Sequence, residues 1–152
     1  MYKNARLAGG KIDLGAFENQ SPIQQDAANI LYVDQNVTGG TGIGNSWANA
    51  IKDLGDALKW AYQQNAFNAF SENNPLKIYV AKGTYSPKFN PQDLEAGSDA
   101  RARAYLLAKN VHVYGSFDPK NGVTTIEKRN ILGDAKTIIE GNTNYHLIIA
   151  AG

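Results

Sequence analysis

The chain has 152 residues, with 15 Lys plus Arg against 14 Asp plus Glu and a formal net charge of +1. That is the length of one domain, and it carries neither the basic field of a nucleic-acid binder nor the charge of a protein that sits on anionic membranes. Hydrophobic residues at 43% argue against wholesale disorder, and the absence of cysteine removes disulfides, thiolate zinc sites and cysteine nucleophiles.

Residues 1–19 read as a fragment. Gly9-Gly10 is a turn, and Lys11-Ile12-Asp13-Leu14-Gly15-Ala16-Phe17 alternates like a short strand. No apolar signal region is visible there, so an export signal is expected outside this segment, and no run is apolar enough for direct membrane insertion. Residues 20–29 are polar, contain Pro22 and show neither period, which predicts a linker. Residues 30–34 form an apolar strand candidate that runs into Thr38-Gly39-Gly40-Thr41-Gly42-Ile43-Gly44. Trp47, Ala50, Ile51, Leu54, Ala57, Leu58 and Ala61 then recur at helical spacing, and the pattern predicts an amphipathic helix over about 46–64, capped by Asn45 or Ser46.

Beyond the helix the chain is short strands and turns. Apolar segments at 76–80, 104–107, 111–115, 137–140 and 145–149 are bounded by Gly, Asn or Pro, with polar loops of unequal length between them. This periodicity fits two architectures. One is a solenoid whose short strands stack coil on coil while loops leave at the corners; the other is an α+β domain with a mixed sheet and one packed helix.

Several ordered words carry a resemblance. Tyr32-Val33-Asp34, the glycine-rich loop, Gly44-Asn45-Ser46-Trp47-Ala48-Asn49-Ala50 and Leu54-Gly55-Asp56-Ala57-Leu58 resemble the opening of bacterial surface proteins with right-handed parallel β-helix repeats. Ile78-Tyr79-Val80-Ala81-Lys82-Gly83-Thr84-Tyr85 is similar to that family's first coil, and Val111-His112-Val113-Tyr114-Gly115-Ser116-Phe117 to its second strand motif. The resemblance covers about 30–149, and residues 6–18 look like the tail of a preceding module. It implies a tail of an upstream β-helix over 1–19, a linker over 20–29, and over 30–152 a capping helix with the first coils of a pectate-lyase-like solenoid that continues into further coils. It also implies an exported protein of the extracellular or outer-membrane surface, in which this segment is a non-catalytic scaffold for adhesion or contact with polysaccharide or host glycan. The rival expectation is part of a β-helix polysaccharide lyase or glycosidase.

Candidate chemistry is sparse. Gly40-Thr41-Gly42-Ile43-Gly44 lies between strand and helix, where a nucleotide phosphate can meet backbone amides, so a small nucleotide-binding α/β domain is a further alternative. Asn45 stands where the third glycine of a dinucleotide fingerprint belongs, and no Gly-Lys-Ser/Thr follows. Asp93, Glu95 and Asp99 offer oxygen ligands for Ca²⁺, but no recognisable Ca²⁺-loop pattern surrounds them and a solvated acidic loop is the ordinary reading. Lys82 and Arg103 are candidate lyase bases, but such a base needs a carboxylate or a metal to acidify the substrate proton. His112 and His146 sit in strand segments without the spacing of a metal pair. Tyr85, Phe89 and Tyr114, with Arg101 and Arg103, are the candidate glycan contacts, against the ordinary reading of strand aromatics as packing.

Overall fold

A computed structural model describes residues 22–151. The strand expected over 11–17 and the module tail expected over 1–19 lie outside the described residues. Of the expected linker, residues 22–29 lie against the domain: Gln24 N–H donates to the Ile43 carbonyl, and the Asp26 carboxylate accepts from the Ala28 and Ile30 amides and from the Tyr32 hydroxyl.

The first strand, β1 (Ile30–Val33), pairs in parallel with β2 (Leu76–Ala81), and β2 pairs in parallel with β5 (Val111–Phe117). Alternation along these strands sends Leu31, Val33, Leu76, Ile78 and Val80 inward, where each is fully buried. Burying a side chain of this size contributes roughly 1.5–3 kcal/mol, so these residues fix the register. Two further parallel pairs complete the β structure: β3 (Gly83–Tyr85) with β6 (Thr137–Ile139), and β4 (Tyr105–Ala108) with β7 (Ile148–Ala151). The one α-helix among the described residues, α1 (Leu54–Asn65), buries Leu54, Ala57, Leu58 and Ala61 and packs chiefly on β4.

The expected start of a right-handed β-helix is corrected by this arrangement. The described strands form three small separate sheets of three, two and two strands with a single helix, an α+β architecture, and no solenoid is seen. A solenoid depends on equivalent coils repeated in depth. Here two of the three sheets consist of one strand pair, so the unequal loops separate elements that do not repeat. The alternative of an α+β domain with one packed helix agrees in class, but the sheets are parallel throughout instead of mixed; the antiparallel contacts are isolated bridges such as Asp118 with Val123.

The helix also starts later than the predicted 46. Ser46 caps only a three-residue 3₁₀ turn, Trp47–Asn49, its hydroxyl accepting from the Asn49 amide. The chain then extends, Ile51 bridges Val33 in parallel, and Asp53 caps α1 through a 2.6 Å bond from the Gly55 amide to its carboxylate. Trp47, Ala50 and Ile51 continue the helical spacing because both the turn and the bridge need apolar residues there, so one periodic signal spans two local structures. The apolar pair Ile131-Leu132 lies in a turn and is largely exposed.

Candidate functional site

The three strands of the largest sheet run in the same direction, and each ends on a charged residue. Asp34 follows Val33, Lys82 follows Ala81 and Asp118 follows Phe117. Crevices outside the carboxyl ends of parallel strands are where α/β sheets bind ligands, because the loops that leave there diverge. In this sheet the same end opens into a cleft of about 490 Å³, lined by Asp34, Asn36, Thr38, Trp47, Lys82 and Asp118 together with exposed Lys120. That volume lies within the range of small-molecule sites.

Local structure fixes each wall. The Asp34 carboxylate accepts from the Asn36 amide at 2.9 Å, which turns the chain after β1, and the Asp34 amide donates to the Ile51 carbonyl. In β5 an extra residue interrupts the pairing with β2: Tyr79 faces Tyr114, whereas Ala81 faces Phe117. Ser116 sits at φ 67° in this bulge, its amide donating to the Thr137 hydroxyl, whose one proton is shared between the Val80 and Ala81 carbonyls, each at 3.0 Å. A bulge re-aims the side chains after it. Here it stacks Phe117 on Tyr79 at 4.5 Å between centroids and brings Asp118 to Lys82.

Lys82 Nζ donates to Asp118 Oδ2 at 2.7 Å, and Asn121 Nδ2 donates to the same oxygen at 2.8 Å. The Asp118 side chain is only 10% exposed, against 45% for Lys82, so the carboxylate is the anchored partner and the ammonium the accessible one. These bonds, that from Lys82 foremost, hold the Asp118 carboxyl below the usual carboxylate range.

Trp47 is held rigidly. Its indole N–H donates to the Thr124 carbonyl at 3.1 Å, and its ring packs edge-on to Tyr32 and tilted against Phe117. Behind it the in-register ladder Tyr32, Tyr79 and Tyr114 crosses the outer face of the sheet, with the Arg129 guanidinium over the rings of Tyr114 and Phe117. Desolvation, seconded by the hydrogen bond to Asp26, pushes the Tyr32 hydroxyl up to about 12, so it stays a neutral donor.

Of the residues singled out in the sequence, Lys82 lines the cleft, whereas the five candidate glycan contacts are placed elsewhere. Tyr85 is 4% exposed; its hydroxyl donates to the Ala81 carbonyl, accepts from the Gln35 amide, and is pushed up to about 12 mainly by burial. Phe89 lies beneath the ammonium groups of Lys59 and Lys88 at 4.5 and 5.2 Å. Arg101 pairs with Asp99 at 3.1 Å and lies over Tyr145, while Arg103 donates to the Ala96 and Gly97 carbonyls and Tyr114 belongs to the outer ladder. None of these five lines the cleft.

The three candidate Ca²⁺ ligands also turn to neighbours in the chain. Asp93 accepts from the Glu95 amide, Glu95 lies 3.6 Å from Lys59 Nζ, and Asp99 takes the Arg101 guanidinium, which holds its carboxyl below the usual range. Among the described residues no group of three or more His, Asp or Glu is placed to hold a metal ion. In the glycine-rich loop the Thr41, Ile43 and Gly44 amides are bonded within the loop and its following turn, and Gly44 lies buried against Leu31 and Ile51. A 3₁₀ turn of three residues follows it instead of a helix N-terminus, which removes the dipole that a phosphate site uses.

The cleft residues Asp34, Trp47 and Asp118 escaped the sequence reading because they meet only through the sheet. One signal was present: each of three apolar strand segments is followed at once by a charged residue. Comparison of the chain with protein-family models, with curated proteins and with solved structures finds no significant match.

Proposed function

We propose that the chain is a non-catalytic carbohydrate-contact module, and that the cleft at the carboxyl ends of β1, β2 and β5 is where it meets glycan. The observation that carries this reading is the pairing, in one open cleft, of a rigidly held indole with hydrogen-bonding side chains on its other walls. A sugar presents an apolar C–H face and a rim of hydroxyls, and a partly exposed aromatic ring flanked by fixed polar groups complements both.

Two carboxylates in one cleft are also what glycoside hydrolysis uses, but its general acid must hold a proton near neutral pH. Asp118 is held in the opposite sense by Lys82 and Asn121, so it is not that acid. An extracellular or outer-membrane surface, where such a module serves adhesion, is the setting proposed with it.

Calorimetric titration of the 152-residue chain with a panel of oligosaccharides tests the reading. A saturable signal that Trp47→Ala removes, with the sugar recovered intact, is the expected outcome. No heat across the panel, or appearance of unsaturated or newly reducing ends, overturns it.

A further inference from the structure

The charges of the cleft restrict which sugar it takes. Its ionisable groups are Asp34, Lys82, Asp118 and Lys120, two of each sign. Lys82 and Asp118 are already joined at 2.7 Å, and Asp118, its side chain one-tenth exposed, has no second cation among its bonded partners, only the Asn121 amide. A ligand carboxylate on the free N–H donors of Lys82 would share that single ammonium charge with the anchored Asp118 carboxylate, and the repulsion between the two anions opposes what a new, partly exposed ion pair returns. The same ligand would also face Asp34 across the cleft, and like charges repel most where water is partly excluded. Lys120 alone, exposed at the surface, does not offset both penalties.

A neutral sugar meets none of them. An ammonium has three N–H donors, of which Lys82 gives one to Asp118. The others are oriented by that bond and donate to hydroxyl oxygens without breaking the pair. The Asp34 carboxylate, turned by its bond from the Asn36 amide, accepts from sugar hydroxyls, and a charged acceptor makes the stronger kind of hydrogen bond. Trp47, fixed at its nitrogen by Thr124 and at its ring by Tyr32 and Phe117, needs no ordering when a pyranose stacks on it.

We infer that the cleft takes an uncharged hexose or pentose unit, stacked on Trp47 and held between Asp34 and Lys82, and rejects uronic acids. This rests on the reading of the cleft as a glycan site.

The test uses the 152-residue chain carrying Trp60→Phe, which leaves Trp47 as the single tryptophan and so places the fluorescence signal in the cleft. Xylo-, manno- and cello-hexaoses are titrated beside oligogalacturonate of the same length, at low and at high salt. The expected result is a saturable change with at least one neutral hexaose, unaffected by salt, weakened about tenfold by Asp34→Asn, and no response to oligogalacturonate. Asp34→Asn keeps the side-chain shape, and circular dichroism confirms its fold. Oligogalacturonate binding equal to or tighter than the neutral sugars overturns the inference while leaving the glycan reading standing. Silence from every oligosaccharide overturns both.

Discussion

Asp118 is the residue on which the cleft turns. Its folded pKa lies below its unfolded one because Lys82 and Asn121 donate to the charged form. Its contribution to stability is therefore fully present above the unfolded value and is lost as pH falls through the folded one. Asp118→Asn is expected to cost about 1–2 kcal/mol at neutral pH, a charge-assisted bond discounted for the exposure of Lys82. That penalty should shrink when urea melts are repeated well into the acid range, where the parent carboxyl is itself protonated. A penalty independent of pH would mean that side-chain shape, not charge, holds the end of β5. The pairing of Asp118 with Lys82 was not legible in the sequence. Asp118 stands in a polar stretch between two apolar ones, and its partner Lys82 is 36 residues away.

At the scale of elements, six of the seven strand segments were legible because Ile, Val, Leu and Tyr cluster there between Gly, Asn and Pro, whereas β3, Gly83–Tyr85, has too few apolar residues to show. The helix was half legible. Its apolar period is real from Leu54 onward, but upstream Trp47 closes onto the aromatic face and Ile51 bridges Val33, two tertiary demands that mimic a helical stripe. Asp53 is the cap, so Asp53→Ala is expected to destabilise the fold by about 1 kcal/mol and to raise amide exchange in the first turn of α1. Ser46→Ala should leave exchange in α1 unchanged, since Ser46 caps the separate 3₁₀ turn. Equal effects on α1 from both substitutions would restore a single helix starting at 46. The parallel pairing, by contrast, has no local signature: strands joined by hairpin-length loops and strands joined by crossovers share the same alternation.

At the scale of the whole molecule, the edges of the sheets differ: among the described residues no strand pairs beyond β5, β6 or β7. The outer edge of β1 is covered, with the Tyr32 amide donating to Gly44 and its carbonyl accepting from Ile51. The strands β5, β6 and β7 each stand last in their sheets, and Val113, Ile138 and Ile148 on them are 39%, 49% and 54% exposed. Open parallel edges with apolar side chains invite further strand pairing. Ile138→Lys and Ile148→Lys are therefore expected to reduce light scattering of concentrated protein while changing the urea midpoint little. Unchanged scattering would mean these edges do not drive association.

The parallel pairings also set an order in time. No two of the seven strands can join until Ala81 has been synthesised, and β5, β6 and β7 each wait in turn for residues 117, 139 and 151. At about 5–20 residues per second, β1 leaves the ribosome several seconds before its partner is complete. During that interval Leu31 and Val33, fully buried in the finished protein, have no partner strand to cover them.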